Sequence, residues 1–116
     1  MNREVGMYVR YKPLLSSKYV KINKIKEIEE KENCLHIWLE DKDLITEKYL
    51  IKASYNIIDI LEKGDYVNGR EVVDIFYDAN DDAMDVCVLG SIVYDNNEVK
   101  SVITHEQMEQ MAYKVG

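Results

Sequence analysis

Three clusters of residues in this 116-residue chain have the types and spacing that could do chemistry. His105-Glu106-Gln107-Met108-Glu109 begins like the H-E-x-x-H helix of zinc proteases, where two imidazoles one turn apart hold the metal and the Glu acts as base. Its fifth residue is Glu109, so the second imidazole is missing. The simpler reading makes His105 and Glu106 polar first-turn residues, with Glu106 favourable at the positive end of a helix dipole. Cys34-x-His36 would put two zinc ligands on one face of a strand, and Cys87 could add a third, but no fourth ligand is evident beyond His105 or a carboxylate. Two partly apolar, buried thiols explain the cysteines better, since neither belongs to a C-x-x-C pair. Asp78-Ala79-Asn80-Asp81-Asp82-Ala83 opens like a calcium loop, yet Ala83 stands at the glycine position and Leu89 at the bidentate glutamate position. That excludes an EF-hand and leaves a solvated hairpin turn, with weak cation binding as the residual metal chemistry. No metal or cofactor is therefore expected.

Nucleophilic catalysis needs a base beside Ser, Thr or Cys, and neither His36 nor His105 lies in a motif such as G-x-S-x-G. There is no glycine-rich phosphate loop. The abundant carboxylates of the second half lack any signal of a cleft, so the expectation is a protein that is not an enzyme.

Charge is unevenly distributed. Through Ile58 there are eleven Lys or Arg against nine Asp or Glu, a balance of +2; from Asp59 onward four stand against thirteen, a balance of −9, and the two give the net −7. Lys18, Lys21, Lys24 and Lys26 form a local basic stretch. A nucleic-acid binder normally carries excess positive charge to neutralise phosphate, so this balance argues against direct DNA or RNA binding outside that stretch. Nine tyrosines outnumber Phe76 and Trp38, and tyrosine, apolar at one end and wet at the other, is enriched in binding surfaces. Tyr66, Tyr77 and Tyr94 share the acidic part of the chain. Asp74, Asp78, Asp81, Asp82, Asp85 and Asp95, with Tyr77 and Tyr94 as anchors, are accordingly the candidate contacts with a partner.

The elements that must position these residues are short. Val5–Tyr11 reads as a strand ended by Pro13. Tyr19–Ile28 starts with period-two alternation and then drifts to apolar positions three apart at Ile22, Ile25 and Ile28; the polar turn after it and the alternating Cys34–Glu40 favour a long strand of a hairpin over a helix. A further strand is expected near Glu47–Lys52, then a helix of about two turns over Tyr55–Glu62 with Ser54 as N-cap and Gly64 as stop. Asn68-Gly69 between apolar runs signals a tight hairpin. Met84–Leu89 reads as a strand, Ser91–Tyr94 and Val99–Ile103 as a further hairpin, Thr104-His105-Glu106-Gln107 as a capping box opening a second short helix, and Ala112–Val115 as a last strand. This pattern predicts one domain over residues 1–116, of β-dominated α+β class: an antiparallel sheet or small barrel with two short helices. Edge strands in such a fold invite pairing with a partner or with a second copy in a homodimer. With no apolar h-region at Met1–Gly6 and no spanning apolar run, the expected location is the cytoplasm, away from membranes.

Over Asn56–Gly69, and again over Val99–Glu109 and Tyr113-Lys114-Val115, the chain resembles small uncharacterised proteins of phages and prophages of Gram-positive bacteria. The resemblance covers the C-terminal half, and its motifs are scaffold: a short helix, an Asn-Gly turn, a capped helix. It implies an accessory or counter-defence product in a host cell. Acidic proteins of that class act as nucleic-acid mimics, occupying basic surfaces of host proteins such as nuclease or defence complexes, as anti-CRISPR-type inhibitors do. The alternative of a different class is a protein that binds or sequesters a nucleotide signal, for which Arg3, Arg10, Lys12 and Arg70 are the candidate phosphate contacts.

Overall fold

The computed structural model describes residues 3–13 and 19–111. They form two antiparallel five-stranded sheets. Sheet I contains β1 (Tyr8–Tyr11), β2 (Lys21–Lys31), β3 (Cys34–Leu39), β4 (Leu44–Thr46) and β5 (Leu50–Ser54) in the order β4-β3-β2-β1-β5. Sheet II contains β6 (Tyr66–Val67), β7 (Arg70–Asp78), β8 (Ala83–Val88), β9 (Ile92–Tyr94) and β10 (Val102–Ile103) in the order β10-β6-β7-β8-β9. One α-helix, α1 (His105–Met111), follows β10. The β-dominated class expected from the sequence is observed, while the barrel alternative is not: both sheets stay open.

The long strand expected after Tyr19 is β2, and its helix-like isoleucine spacing has a simple cause. Its pairing with β3 shifts between Ile25 and Glu27, so Lys26 is an extra residue that returns Ile28 to the face of Ile25. Ile22, three before Ile25, lies on the opposite face, as strand alternation requires. Ile25 and Ile28 join the core of sheet I with Val9, Tyr11, Ile37, Leu39 and Ile45, whereas Ile22 packs into the core of sheet II. One strand thus serves two cores.

Other expectations need correction. The predicted helix over Tyr55–Glu62 is a single 3-10 turn, Ile57–Ile60, whose three isoleucines are all buried in the sheet II core. Apolar side chains on nearly every position of so short a segment suit a buried turn better than an amphipathic helix. The strand expected near Glu47 begins only at Leu50, after a 3-10 turn at Glu47–Tyr49. Val102–Ile103 do not pair back on β9; they pair with β6, and β9 pairs with β8. Asn68 holds the ends of that long connection, accepting from the Lys100 and Ser101 amides at 2.8 and 3.1 Å. The Asn68-Gly69 turn forms as predicted, both residues having positive φ (52° and 83°), and joins β6 to β7. The capping box is also present: Gln107 N–H donates to Thr104 Oγ1 and Thr104 N–H to Gln107 Oε1, each at 3.0 Å. The expected strand Ala112–Val115 lies outside the described residues.

What joins the sheets is an ion network. On β1, Val9 and Tyr11 enter the sheet I core, so Arg10 points the other way, toward sheet II, and is fully buried. Its Nη1 and Nη2 donate to the two oxygens of buried Asp65 at 2.7 and 3.1 Å, Nη2 also to Glu106 Oε1 at 2.8 Å, and Nη1 to the Ile60 carbonyl at 3.3 Å. Nε faces Glu62 Oε2 at 3.5 Å. Asp65 additionally accepts the backbone N–H groups of Glu62 and His105 at 2.7 and 2.9 Å, which fills its acceptor sites. Burial works against the Arg10 charge, but Asp65, Glu62 and Glu106 outweigh it and raise its pKa.

Removing one member of a buried pair leaves an uncompensated charge. Asp65→Ala should therefore lower the unfolding free energy by about 3–5 kcal/mol. Lys52→Ala, which removes only the exposed contact to Glu62, should change it by less than about 1 kcal/mol. Urea denaturation followed by Trp38 fluorescence and circular dichroism would compare the two; equal costs would show that the network does not hold the fold.

Candidate functional site

The candidate contacts gather on sheet II. The register of β7 with β8 pairs Asp74 with Cys87, Phe76 with Asp85 and Asp78 with Ala83, and β8 pairs Cys87 with Val93 of β9. These residues share one face of the sheet, opposite the face on which Val72, Ile75, Val86, Val88 and Tyr94 enter the core. The outer face is both acidic and apolar: Phe76 is 37% and Val93 47% exposed.

At one end of this face, the turn joining β7 to β8 brings aspartates together. Asp78 ends β7 and its Oδ1 accepts the Asn80 N–H at 2.9 Å, fixing the turn. Asp82 has φ of 49° and accepts the hydroxyl of Tyr77. That bond, with burial and the charge of Asp78 secondary, raises the Tyr77 pKa. Carboxylate oxygens of Asp78, Asp81 and Asp85 lie within 4.8 Å of one another. Asp81 is exposed, but Asp85 is only 6% exposed and its Oδ1 is buried with no hydrogen-bond partner. Its pKa is raised, first by burial, then by hydrogen bonding to Asp78 and by the charges of Asp78, Asp81 and Asp95.

Two expected contacts sit differently from a surface role. Tyr94 packs against the sheet II core, and Asp85 is buried at the centre of the acidic group. Asp95 closes its own turn, its Oδ1 accepting the Glu98 N–H at 3.0 Å while Glu98 Oε1 accepts the Asp95 N–H at 3.1 Å. Asp74 is exposed further along the outer face. Phe76 and Val93 are absent from the sequence-derived set, which rests on charge and tyrosine; the face they share appears only from the register, which in the β7–β8 pair shifts between Val72 and Asp74.

His105 and Glu106 are structural. With Asp65 they form a second cluster of ligand-type atoms, but the Arg10 guanidinium already lies against both carboxylates, so the cluster carries its own cation. His105 Nε2 lies 3.2 Å from Glu62 Oε1 and 3.0 Å from Glu106 Oε1; since both are acceptors, that nitrogen carries hydrogen. Burial pushes Glu62 up, but Arg10, His105 and Lys52 together hold its pKa below the usual value. Cys34 and His36 share a face of sheet I, while Cys87 is in sheet II; both cysteines are free and half-buried. Of the candidate phosphate contacts, Arg10 is sealed in its network and Arg70 Nη1 donates to the Leu89 carbonyl at 3.2 Å. A hollow of about 340 Å³ between the sheets is lined by Lys24 and Lys100 beside Tyr8, Ile22 and Val102, and by none of those four cations. No helix among the described residues is long and apolar enough to cross a membrane.

A raised carboxyl pKa means that the folded state holds the proton more tightly than the unfolded chain. Asp85 thus favours folding at low pH and opposes it as pH rises through its raised value. In buffer free of divalent cations, Asp85→Asn should melt higher than wild type at pH 7, with the difference shrinking as pH falls toward the ordinary aspartate value of about 3.9. Thermal melts of both proteins across this range give the test; a variant less stable at pH 7 than at pH 4, relative to wild type, contradicts the sign. Comparison of the chain with family models, curated proteins and solved structures finds no match.

Proposed function

We propose that this chain is a non-enzymatic binding protein that docks the outer face of sheet II onto a basic surface of a host protein. In this reading it is a phage accessory protein of the anti-CRISPR type, an inhibitor that presents carboxylates where the host partner expects phosphates. The observation that carries the proposal is the coincidence of Asp74, Asp78 and Asp81 with exposed Phe76 and Val93 on one side of a sheet whose other side is core. An apolar centre desolvated on docking supplies affinity, and charged surroundings steer encounter and reject partners of the wrong sign. The −9 balance of the second half adds long-range attraction to any cationic groove.

Retention of a host protein from a Gram-positive bacterial lysate on the immobilised chain should fall steeply with ionic strength. Asp81→Lys with Asp82→Lys should slow association at least about tenfold at low salt. Phe76→Ala should speed dissociation without changing the salt dependence. Binding that survives both high salt and the double lysine substitution would rule out charge mimicry.

A further inference from the structure

We propose that Asp78, Asp81 and Asp85 form a binding site for a divalent cation with the oxygen-ligand preference of calcium. The site stands on two observations. The three carboxylates converge, with an oxygen from each within 4.8 Å of the others. Independently, Asp85, which contributes an oxygen to that group, is only 6% exposed and its Oδ1 is buried with no hydrogen-bond partner. Protein interiors rarely leave a carboxylate oxygen unpartnered, because the lost hydration costs free energy that nothing returns. Three like charges around such an oxygen make the omission worse. A cation between the carboxylates resolves both.

The geometry suits calcium. Oxygens around Ca²⁺ lie about 2.3–2.6 Å from the ion, so opposite ligands stand roughly 5 Å apart and adjacent ones closer, and the ion tolerates irregular arrangements. Mg²⁺ needs near-ideal octahedral oxygens at about 2.0–2.1 Å and gives up water reluctantly. The strands set the positions: Asp78 and Asp85 are diagonal neighbours on one face, since Asp78 pairs with Ala83 two residues before Asp85, and the turn brings Asp81 over them. This is not the EF-hand arrangement, because Ala83 and Leu89 stand at its glycine and bidentate glutamate positions. With three protein carboxylates and water for the remaining ligands, affinity should fall near the weak end of calcium sites, roughly 10⁻⁴–10⁻³ M.

Calorimetric titration of the full chain with CaCl₂ near pH 7 should show one site, and millimolar Ca²⁺ should raise the melting temperature by several degrees. Terbium, used as a luminescent calcium substitute, should be sensitised through neighbouring Tyr77 and displaced by Ca²⁺. Asp85→Asn should weaken binding at least about tenfold, as should Asp81→Asn, a change in the exposed turn that keeps the test open should the buried substitution disturb folding. Asp74→Asn, outside the cluster, should bind as wild type. No calcium heat, a melting shift reproduced by NaCl at matched ionic strength, or unchanged binding in both cluster variants would overturn the site. Failure here leaves the salt dependence of partner docking untouched, so the two proposals fall separately.

Discussion

A guanidinium placed where water cannot reach must be balanced on every side, and in this protein that demand falls on Arg10. Its neighbours in sequence, Val9 and Tyr11, belong to the core of sheet I, so strand alternation forces the charge out of the opposite face and into the junction with sheet II. Asp65 from the approach to β6, Glu62 from the connection before it and Glu106 from α1 then have to be where they are. The network orders more than charges. Asp65 accepts the N–H groups of Glu62 and His105, so the same carboxylate fixes the segment entering β6 and the first turn of α1. Thr104, fully buried, adds a second tie by donating to the Val20 carbonyl at 2.6 Å. Buried ion pairs are poor sources of net stability, but breaking one is costly, because it leaves an uncompensated charge. Here the network lies where the two cores meet, with Tyr8 and Ile22 of sheet I packed into the second.

Holding the sheets side by side has a geometric consequence. The described molecule measures 48 × 48 × 19 Å, thin in one direction, and its apolar residues divide into two clusters, with Tyr8 and Ile22 of sheet I reaching into the second. A flat molecule leaves one face of each sheet uncovered. On sheet I that face is largely charged along β2, where Glu27, Glu29 and Lys31 stand opposite Trp38, His36 and Cys34. On sheet II it carries Phe76 and Val93 beside the aspartates. The proposed docking rests on this coincidence of apolar surface and aspartates on the outer face of sheet II.

The class of fold and much of the local chemistry were legible in the residues. The Asn68-Gly69 hairpin and the Thr104–Gln107 capping box are written in single side chains whose hydrogen bonds or backbone angles admit few alternatives. Long-range features were not. The bulges at Lys26 and Val73 shift alternation by one residue without any distinguishing composition, so the face that Phe76 occupies and the spacing of Ile22, Ile25 and Ile28 follow only from the partner strands. The destination of Val102–Ile103 was lost similarly, because proximity in sequence to β9 competed with pairing to β6, more than thirty residues earlier. Arg10 offered a signal, a cation between two core residues of a strand, but nothing local named Asp65 or Glu106 as its partners. Of the acidic cluster, composition located the aspartates, while the burial of Asp85 depended on which face of β8 it occupied.

The two charged clusters differ in a way that bears on their roles. Around Arg10, three carboxylates face a cation supplied by the chain, and Lys52 and His105 add further contacts to Glu62. Around Asp85, Asp78, Asp81 and Asp95 press on a carboxyl with no cation among them, and its pKa rises accordingly. The same fold therefore satisfies one acidic cluster internally and leaves the other in deficit. Structural needs explain the first, since Arg10 and Asp65 are buried together at the junction of the sheets. They do not explain the second, since Asn at position 85 would fit the same space without the repulsion. A deficit of positive charge maintained at the rim of an exposed sheet face is the electrostatic condition under which a cation from outside, carried by a metal ion or by a basic partner, lowers the free energy of the folded protein.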